Sequence, residues 1–272
     1  MIRLSARRTF MIALVALASI FLGFFIFNVS RGGLSNDKCQ RGPGRNIDWS
    51  NCSKSQLLLA DDDLTGAVLT KAVLSGTDFS RSRMAGSKLD EAELSRTRFS
   101  GADLAGSSFA KAVGWRSDFN NANLEKALFT GADMSRSTFA GAKMAGASLN
   151  KAELNRSDFA GADLTGADMS KAELARTLFK GAKLSGVDFS YTNLSRADFT
   201  GMTLDGVKIK GAYLFLTRLA DADLTRVTGL SAEQLELACG TSGTRLPPGI
   251  EPPASWPCDS GEDEGQASIG PK

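Results

Sequence analysis

Apolar residues recur at every fifth position from Leu59 to Leu224. Of these 34 central positions, 33 hold Leu, Phe, Met or Ile, and the exception is Gly114. Two residues before each central position lies a small position, and 29 of the 34 small positions are Ala, Ser or Thr. A pattern this regular indicates a repeat architecture rather than a mixed globular core.

A period of five fits neither standard secondary structure. On a helix it spreads the apolar residues around the axis, and on a straight strand an odd step changes face at every repeat. The pattern points inward only if the chain turns a corner once per repeat. The small and central positions then face inward, and the residue between them faces outward. Gly stands three residues before the central position fifteen times, and it tolerates the backbone of a sharp bend.

The larger aromatic residues indicate how many corners make one coil. Phenylalanines recur at intervals of twenty residues, which is four repeats, so four sides per coil stack them in one column. They are Phe79, Phe99, Phe119, Phe139, Phe159, Phe179 and Phe199. We predict a filled rod of about 8.5 coils and about 40 Å, with no ligand cavity inside.

The repeats have the pattern A-[DN]-L, for example at Gly101-Ala102-Asp103-Leu104, Ala122-Asn123-Leu124 and Gly161-Ala162-Asp163-Leu164. The chain thereby resembles the pentapeptide-repeat proteins over about 170 residues. The resemblance implies an all-β fold, a right-handed quadrilateral β-helix, which we place at residues 57–226. Some members of that family act as DNA mimics that interact with topoisomerases.

The N-terminal segment, residues 1–30, is predicted to be a signal anchor. Residues 10–29 are apolar enough and long enough for a transmembrane helix, and basic residues without acids precede them. A cleaved signal peptide is the alternative, and Arg7-Arg8 resembles a twin-arginine export motif. We therefore expect a single-pass, membrane-anchored bacterial protein whose bulk is extracytoplasmic, in the periplasm.

Four cysteines flank the repeats and none lies within them. Pairing Cys39 with Cys52 and Cys239 with Cys258 would close one loop at each end, although four cysteines allow three connectivities. A metal site is the alternative. We assign residues 31–56 to a linker and N-terminal cap and residues 227–258 to a C-terminal cap. In the C-terminal cap, Ser231 opens a short helix that reaches to about Ala238. Residues 259–272 are acidic and glycine-rich and are predicted to be disordered.

One column of basic residues is the clearest outward feature. It contains Arg96, Arg116, Arg136, Arg156, Arg176 and Arg196. These arginines either form a solvated ladder of salt bridges with nearby acids or bind an anionic ligand, such as a phospholipid head group or an envelope polymer. The nearby acids are Glu93, Asp133, Glu153 and Glu173. Trp115 either covers a local bulge at Gly114 or is an exposed docking residue.

Charge and composition narrow the function classes. The chain has no His, and residues 57–226 carry 22 basic and 21 acidic residues, so a nucleic-acid partner is unlikely and an acidic DNA mimic is disfavoured. Outward carboxylates on a filled rod lack the cleft that acid–base catalysis needs. The sequence predicts a non-enzymatic, membrane-tethered scaffold for a protein or anionic envelope partner, without a cofactor. A topoisomerase-interacting DNA mimic is the alternative.

Overall fold

The computed structural model describes residues 37–258. The predicted anchor at residues 10–29 and the acidic tail at residues 259–272 therefore lie outside the described residues. Between residues 37 and 258, no helix combines the length and the apolar character needed to cross a bilayer. A short helix, α1 (Asp37–Gln40), belongs to an N-terminal unit, and residues 42–258 form a second unit.

Parallel bridges between residues twenty apart build the second unit. The first joins Asp48 to Val68, and the same step continues without change of register to the bridge between Lys208 and Thr228. Each bridge involves a single residue per side, so the faces are one-residue strands separated by corners. Twenty residues and four corners per coil give the quadrilateral β-helix that the phenylalanine spacing predicts.

A tight turn makes each corner. In the turn after Leu94, the N–H of Thr97 donates to the carbonyl of Leu94 at 2.9 Å, and Arg96 between them has φ of +60°. A positive φ at the third residue is the feature of a type II turn. The N–H of Arg96 donates to the carbonyl of Trp115 in the next coil at 2.9 Å. Corners are therefore tied both to themselves and to the coil that follows.

The interior is filled by the central and small positions. The seven predicted phenylalanines are buried and form one continuous stack, with ring centroids 4.8–5.6 Å apart and nearly parallel planes. Phe109 and Phe129 form a second stack at 4.5 Å, and Phe109 meets Phe119 edge-on at 5.7 Å. The second column continues as Leu149 and Met169, so its aromatic character is shorter and less apparent in the sequence.

The regular coil begins earlier than the predicted boundary at residue 57. Trp49 occupies a central position and is buried, Cys52 occupies a small position and is buried, and the bridges begin at Asp48. The Lys54 ammonium lies 4.4 Å from the centroid of the Trp49 ring. These two pentads lack an aliphatic central residue, which is why hydrophobic periodicity alone starts the rod at Leu59.

A capping segment covers the other end of the coil. The second helix, α2 (Ala232–Leu235), has the predicted capping box between Ser231 and Gln234, but it ends three residues earlier than expected. The Gln234 Nε2 also donates to the carbonyls of Ile209 at 3.0 Å and Ala212 at 2.8 Å. The cap thus supplies donors to carbonyls that have no further coil above them.

After α2, the chain returns to the edge of the coil. Arg218 bridges to Cys239 and Asp223 to Arg245, which extends two faces beyond the repeats. Cys239 and Cys258 form a disulfide with their Cα atoms 5.4 Å apart. The indole N–H of Trp256 donates to the carbonyl of Ala238 at 2.7 Å.

The remaining two cysteines precede residue 57 in the sequence. Cys39 and Cys52 are also disulfide-bonded, so no cysteine in the described part of the chain is free. All four flanking cysteines are therefore oxidised, which disfavours the metal-site alternative.

Candidate interaction surface

The six arginines lie on one corner of the coil, which we call the arginine corner. Every one occupies the third position of its turn, with φ between +58° and +62°, and every side chain is exposed. Most glycines of the repeats hold this same position on the other corners. At the corner that follows, for example, it is held by Gly141, Gly161, Gly181 and Gly201. A left-handed backbone costs an L-residue about 1–2 kcal/mol, so arginine is retained here where glycine would be less strained.

Buried hydroxyls support the arginine corner from inside. The residue after each of the first five arginines is Ser or Thr, and its hydroxyl donates to a carbonyl at the same corner one coil earlier. The Ser137 Oγ, for example, donates to the carbonyl of Gly114 at 2.8 Å, and the Ser157 Oγ donates to the carbonyl of Met134 at 3.1 Å. The small positions after the neighbouring glycine corner are mostly Ala. This column of hydroxyls therefore distinguishes the arginine corner from that neighbour.

Ion pairs in the coil connect equivalent corner or face positions of adjacent coils. Arg81 pairs with Asp61 at 2.7 Å, and Arg98 pairs with Asp78 at 3.0 Å, each across one coil. Such partners are twenty residues apart and stand directly above one another. They are therefore brought together by the fold itself.

The arginine corner does not take part in this pairing. Over residues 37–258, no carboxylate lies within 4.0 Å of the guanidinium of any of the six arginines. The predicted ladder of salt bridges from Glu93, Asp133, Glu153 and Glu173 is therefore wrong for these residues. Those acids stand on the face that precedes the turn, whereas each arginine lies within the turn.

The outward carboxylates do more than solubilise the rod. The Asp63 Oδ1 accepts hydrogen bonds from the backbone N–H of Thr65 at 3.1 Å and from its hydroxyl at 2.6 Å. The Thr65 hydroxyl, its backbone N–H and the Arg83 guanidinium together lower the pKa of Asp63 to about 2. The same bond to the N–H two residues on recurs at Asp78, Asp133 and Asp188. The Asp or Asn of the repeat thus fixes the start of each turn.

A second basic corner is shorter and interrupted. It carries Lys111, Lys151 and Lys171, which also form no ion pair among the described residues. Gly131 interrupts this series, and Glu91 occupies the same corner one coil before Lys111. The arginine corner is the longer continuous column of cations. It also presents planar guanidinium groups, which bind carboxylates through two parallel hydrogen bonds.

Trp115 is an exposed residue on this corner, and the predicted bulge is not formed. Val113 bridges both Glu93 and Asp133 in unbroken register. A Cβ at Gly114 would lie 2.5 Å from the Met134 sulfur, so Met134 fills the space beside the missing side chain. Trp115 is 55% exposed, and its indole N–H donates to the Asp133 carboxylate. Because that bond orients the ring, Trp115 stays exposed at the corner and does not fill the space left at Gly114.

A groove of about 710 Å³ lies beside the Trp115 ring. It brings together three residues of the arginine corner, Trp115, two acids and several serines. Its main polar and aromatic lining residues are Ser75, Ser95, Arg96, Trp115, Arg116, Asp133, Ser135, Arg136 and Glu153. Arg156, Arg176 and Arg196 continue the column beyond the groove. Across residues 37–258, no cluster of three or more His, Cys, Asp and Glu side chains is suited to hold a metal ion.

Comparisons with known families agree with this geometry. A model of pentapeptide repeats in eight copies matches residues 63–101, and a model of the pentapeptide repeat region matches residues 112–189, 132–209 and 152–228. Together these matches cover more than half of the chain. The protein belongs to the pentapeptide-repeat family.

Solved structures of the family resemble this chain in fold. HetL is a pentapeptide-repeat protein involved in heterocyst differentiation regulation in the cyanobacterium Nostoc sp. strain PCC 7120. It is 23% identical over 75% of this chain and 84% of its own, with a TM-score of 0.51. This likeness supports the right-handed β-helix and nothing more specific.

Two further structures match with lower TM-scores. QnrB1, a plasmid-mediated fluoroquinolone resistance protein, is 18% identical over 71% of this chain and 90% of its own, with a TM-score of 0.38. A pentapeptide-repeat protein of the Arabidopsis thaliana thylakoid lumen is 30% identical over 45% of this chain and 74% of its own, with a TM-score of 0.27. The comparison with curated proteins gives no match.

Proposed function

We propose that this protein is a non-enzymatic, membrane-tethered scaffold whose arginine corner binds a partner in the cell envelope. The observation that carries the proposal is the column of six exposed arginines without a carboxylate partner in the described residues. Elsewhere on the same coil, arginines at face positions find acids one coil away. A column of arginines that costs conformational and electrostatic free energy is best explained by a role in binding.

That cost has two sources. The left-handed backbone disfavours each arginine relative to glycine. Neighbouring arginines also stand on coils about 4.8 Å apart, and like charges at that distance repel by about 1 kcal/mol in water. Binding an anionic group offsets this repulsion.

The membrane tether rests on the sequence of residues 10–29, which has the length and apolarity of a spanning helix. Four oxidised cysteines favour an oxidising compartment, in agreement with an extracytoplasmic coil. The alternative of a DNA mimic requires an acidic rod inside the cell. The balance of 22 basic and 21 acidic residues in the repeats does not favour it.

Reporter fusions after Lys272 test the location. Alkaline phosphatase is active only outside the cytoplasm, whereas a standard green fluorescent protein exported unfolded through the Sec route stays dark. We expect phosphatase activity in the membrane fraction without fluorescence. The opposite pair of results would contradict the tethered, extracytoplasmic placement.

Site-specific photo-crosslinking in living cells tests the binding surface. We would place p-benzoyl-L-phenylalanine at position 95 in the groove and, as a control, at position 185 on a different corner. We expect a discrete adduct only at position 95. The adduct should be lost when the six arginines are replaced by Gly and retained when Lys111, Lys151 and Lys171 are replaced instead.

Glycine is the suitable replacement because it accepts the left-handed turn. Both sets of variants therefore keep the backbone that the corner needs. Equal adducts at positions 95 and 185, or an adduct indifferent to the arginines, would contradict the proposed surface.

A further inference from the structure

We propose that the groove beside Trp115 binds a linear acidic polysaccharide with one carboxylate on each sugar, such as a polyuronate. This inference rests on the proposed interaction role of the arginine corner and gives it a ligand class. Three properties of the groove support it: the spacing of its cations, the mixture of charges in its lining, and the exposed indole.

The spacing of the cations is set by the coil. Arg96, Arg116 and Arg136 occupy equivalent positions in successive coils, and the buried Phe99, Phe119 and Phe139 in the same coils stack at 4.8 and 4.9 Å. An extended chain of pyranose rings advances by nearly the same distance per sugar. Successive sugars of an extended two-fold ribbon face opposite sides, so the carboxylates on one side recur at every second sugar and can meet the guanidinium groups of Arg96 and Arg136, two coils apart.

The mixture of charges argues against a densely charged polyanion. Asp133 and Glu153 line the groove together with the three arginines. Polyphosphate or a nucleic-acid backbone carries charge and few hydroxyl donors, so these two carboxylates would repel it. A uronate chain offers both kinds of group, because its carboxylates accept from arginine and its hydroxyls donate to Asp133, Glu153 and the serines.

The exposed indole supplies the remaining element of a sugar site. Trp115 is 55% exposed, and its N–H is engaged by Asp133, so the ring is held in place while part of its surface remains open. The C–H face of a pyranose packs against an aromatic ring of this kind. Apolar contact of the ring with sugar and forked contact of arginine with carboxylate then occur within the same groove.

Calorimetric titration of the full-length protein in a mild detergent tests the inference, with a short oligogalacturonate as the probe. The matched control ligand is the same oligomer with its carboxylates methyl-esterified, which retains the sugar and removes the charge. We expect saturable binding of the acid form that weakens as salt is added. We expect binding of the ester to be at least about tenfold weaker, because each carboxylate loses a charge-assisted contact.

Variants separate the groove from the other basic corner. Trp115→Ala and the triple variant Arg96→Gly, Arg116→Gly, Arg136→Gly should each weaken binding at least about tenfold, since they remove the platform and the forked contacts. The charge-matched triple variant Lys111→Gly, Lys151→Gly, Lys171→Gly alters equivalent turns outside the arginine corner and should bind normally. Circular dichroism melts confirm that each variant is folded.

Several outcomes would overturn the ligand class. These are no binding of the oligogalacturonate, equal binding of the ester, tighter binding of inorganic polyphosphate, or equal loss in the arginine and lysine triple variants. If the oligogalacturonate fails while the photo-adduct at position 95 still depends on the arginines, the interaction role stands and only the polysaccharide is excluded.

Discussion

At the scale of single residues, the left-handed position of the turn decides which side chains the corners present. Gly66 and Gly161 meet it without strain, but Arg96 and Lys151 adopt the same φ near +60°. A residue with a Cβ at this position is destabilising on its own. Where such residues form a column, their exposed side chains, and not the backbone conformation, explain their presence.

The substitution Gly161→Ala measures this cost directly. A Cβ at Gly161 meets nothing within 4 Å, so its effect is confined to the backbone with φ of +67°. We expect a loss of about 1 kcal/mol in the free energy of unfolding, from urea titrations followed by circular dichroism. The reverse change, Arg176→Gly, should be neutral or stabilising. A loss at Arg176→Gly as large as at Gly161→Ala would show that the arginine makes a stabilising contact.

The stacked phenylalanines determine the stability of the middle of the rod. Phe139 is buried between Phe119 at 4.9 Å and Phe159 at 4.8 Å. We expect Phe139→Ala to cost about 3–5 kcal/mol, because it removes a large ring and leaves a cavity that the rigid coils cannot close. Phe139→Leu is the control, since leucine occupies the same position in many repeats. It should cost clearly less in the same denaturant titration.

The buried hydroxyls behind the arginine corner contribute on a smaller scale. The Ser137 Oγ donates to the carbonyl of Gly114 and accepts from the N–H of Ser117 at 3.0 Å. We expect Ser137→Ala to cost about 1 kcal/mol, since alanine fits a small position but leaves the Ser117 N–H with only its 3.3 Å bond to the carbonyl of Gly114. Ala142→Ser at the next corner is the contrasting change. A stabilisation by Ser137→Ala in thermal melts would contradict the bracing role.

At the scale of elements, the ends of the coil depend on residues outside the repeat. Cys239 bridges to Arg218, and its disulfide to Cys258 closes a segment with a sequence separation of 19. We expect the double variant Cys239→Ser, Cys258→Ser to lose about 3 kcal/mol, as for a loop of that size. Protease digestion should then begin near residues 246–258 before the repeats are cut. Initial cleavage within the repeats would contradict a local role for this disulfide.

The coil was predictable from the sequence because it repeats. The ends were not predictable, because their sequences follow the repeat only in part. Leu, Phe and Ala at fixed intervals determine the corners, the filled core and the column of Phe79 to Phe199. Trp49 and Cys52 follow the same register, but they do not look like repeat residues until their burial is seen. After α2 the chain joins the coil, where the Cys239 N–H donates to the carbonyl of Thr217 at 2.8 Å, and sequence periodicity does not encode that pairing.

The arginine corner was predictable as a column but not as a surface without ion pairs. Glu93 and Arg96 are close in sequence, which suggests a salt bridge, yet Glu93 lies on the face before the turn and Arg96 lies within the turn. The partners that do meet, such as Asp78 and Arg98, are twenty residues apart. The groove at Trp115 is lined by residues from several successive coils, and no local pattern reveals it.

At the scale of the whole molecule, a group of aspartates makes stability depend on acidity. Hydrogen bonds from the following threonines, with nearby cations, lower the pKa of Asp63 to about 2 and lower the pKa values of Asp163 and Asp223 below that of an ordinary aspartate. The unfolded chain therefore binds more protons than the folded one as pH falls below about 5. Their contribution is fully present above the unfolded value and is lost as pH falls through the folded values.

We therefore expect the melting temperature to fall between about pH 5 and pH 2. In the triple variant Asp63→Asn, Asp163→Asn, Asp223→Asn, this fall should be smaller. Asparagine accepts the same turn hydrogen bond, as Asn193 does from Ser195 at 3.0 Å, but it does not titrate. An equal fall in both proteins would assign the acid sensitivity to other groups.

The step of twenty residues between bridged positions makes the molecule tolerant of some length changes and intolerant of others. Removing residues 137–156 takes out one full circuit, and Arg136 and Arg176 then remain on the same edge with one rung fewer between them. Removing only five residues rotates everything downstream by a quarter turn, so the two halves of the basic edge point in perpendicular directions. The arginines therefore stay on one side of the coil only if residues are added or removed in multiples of twenty.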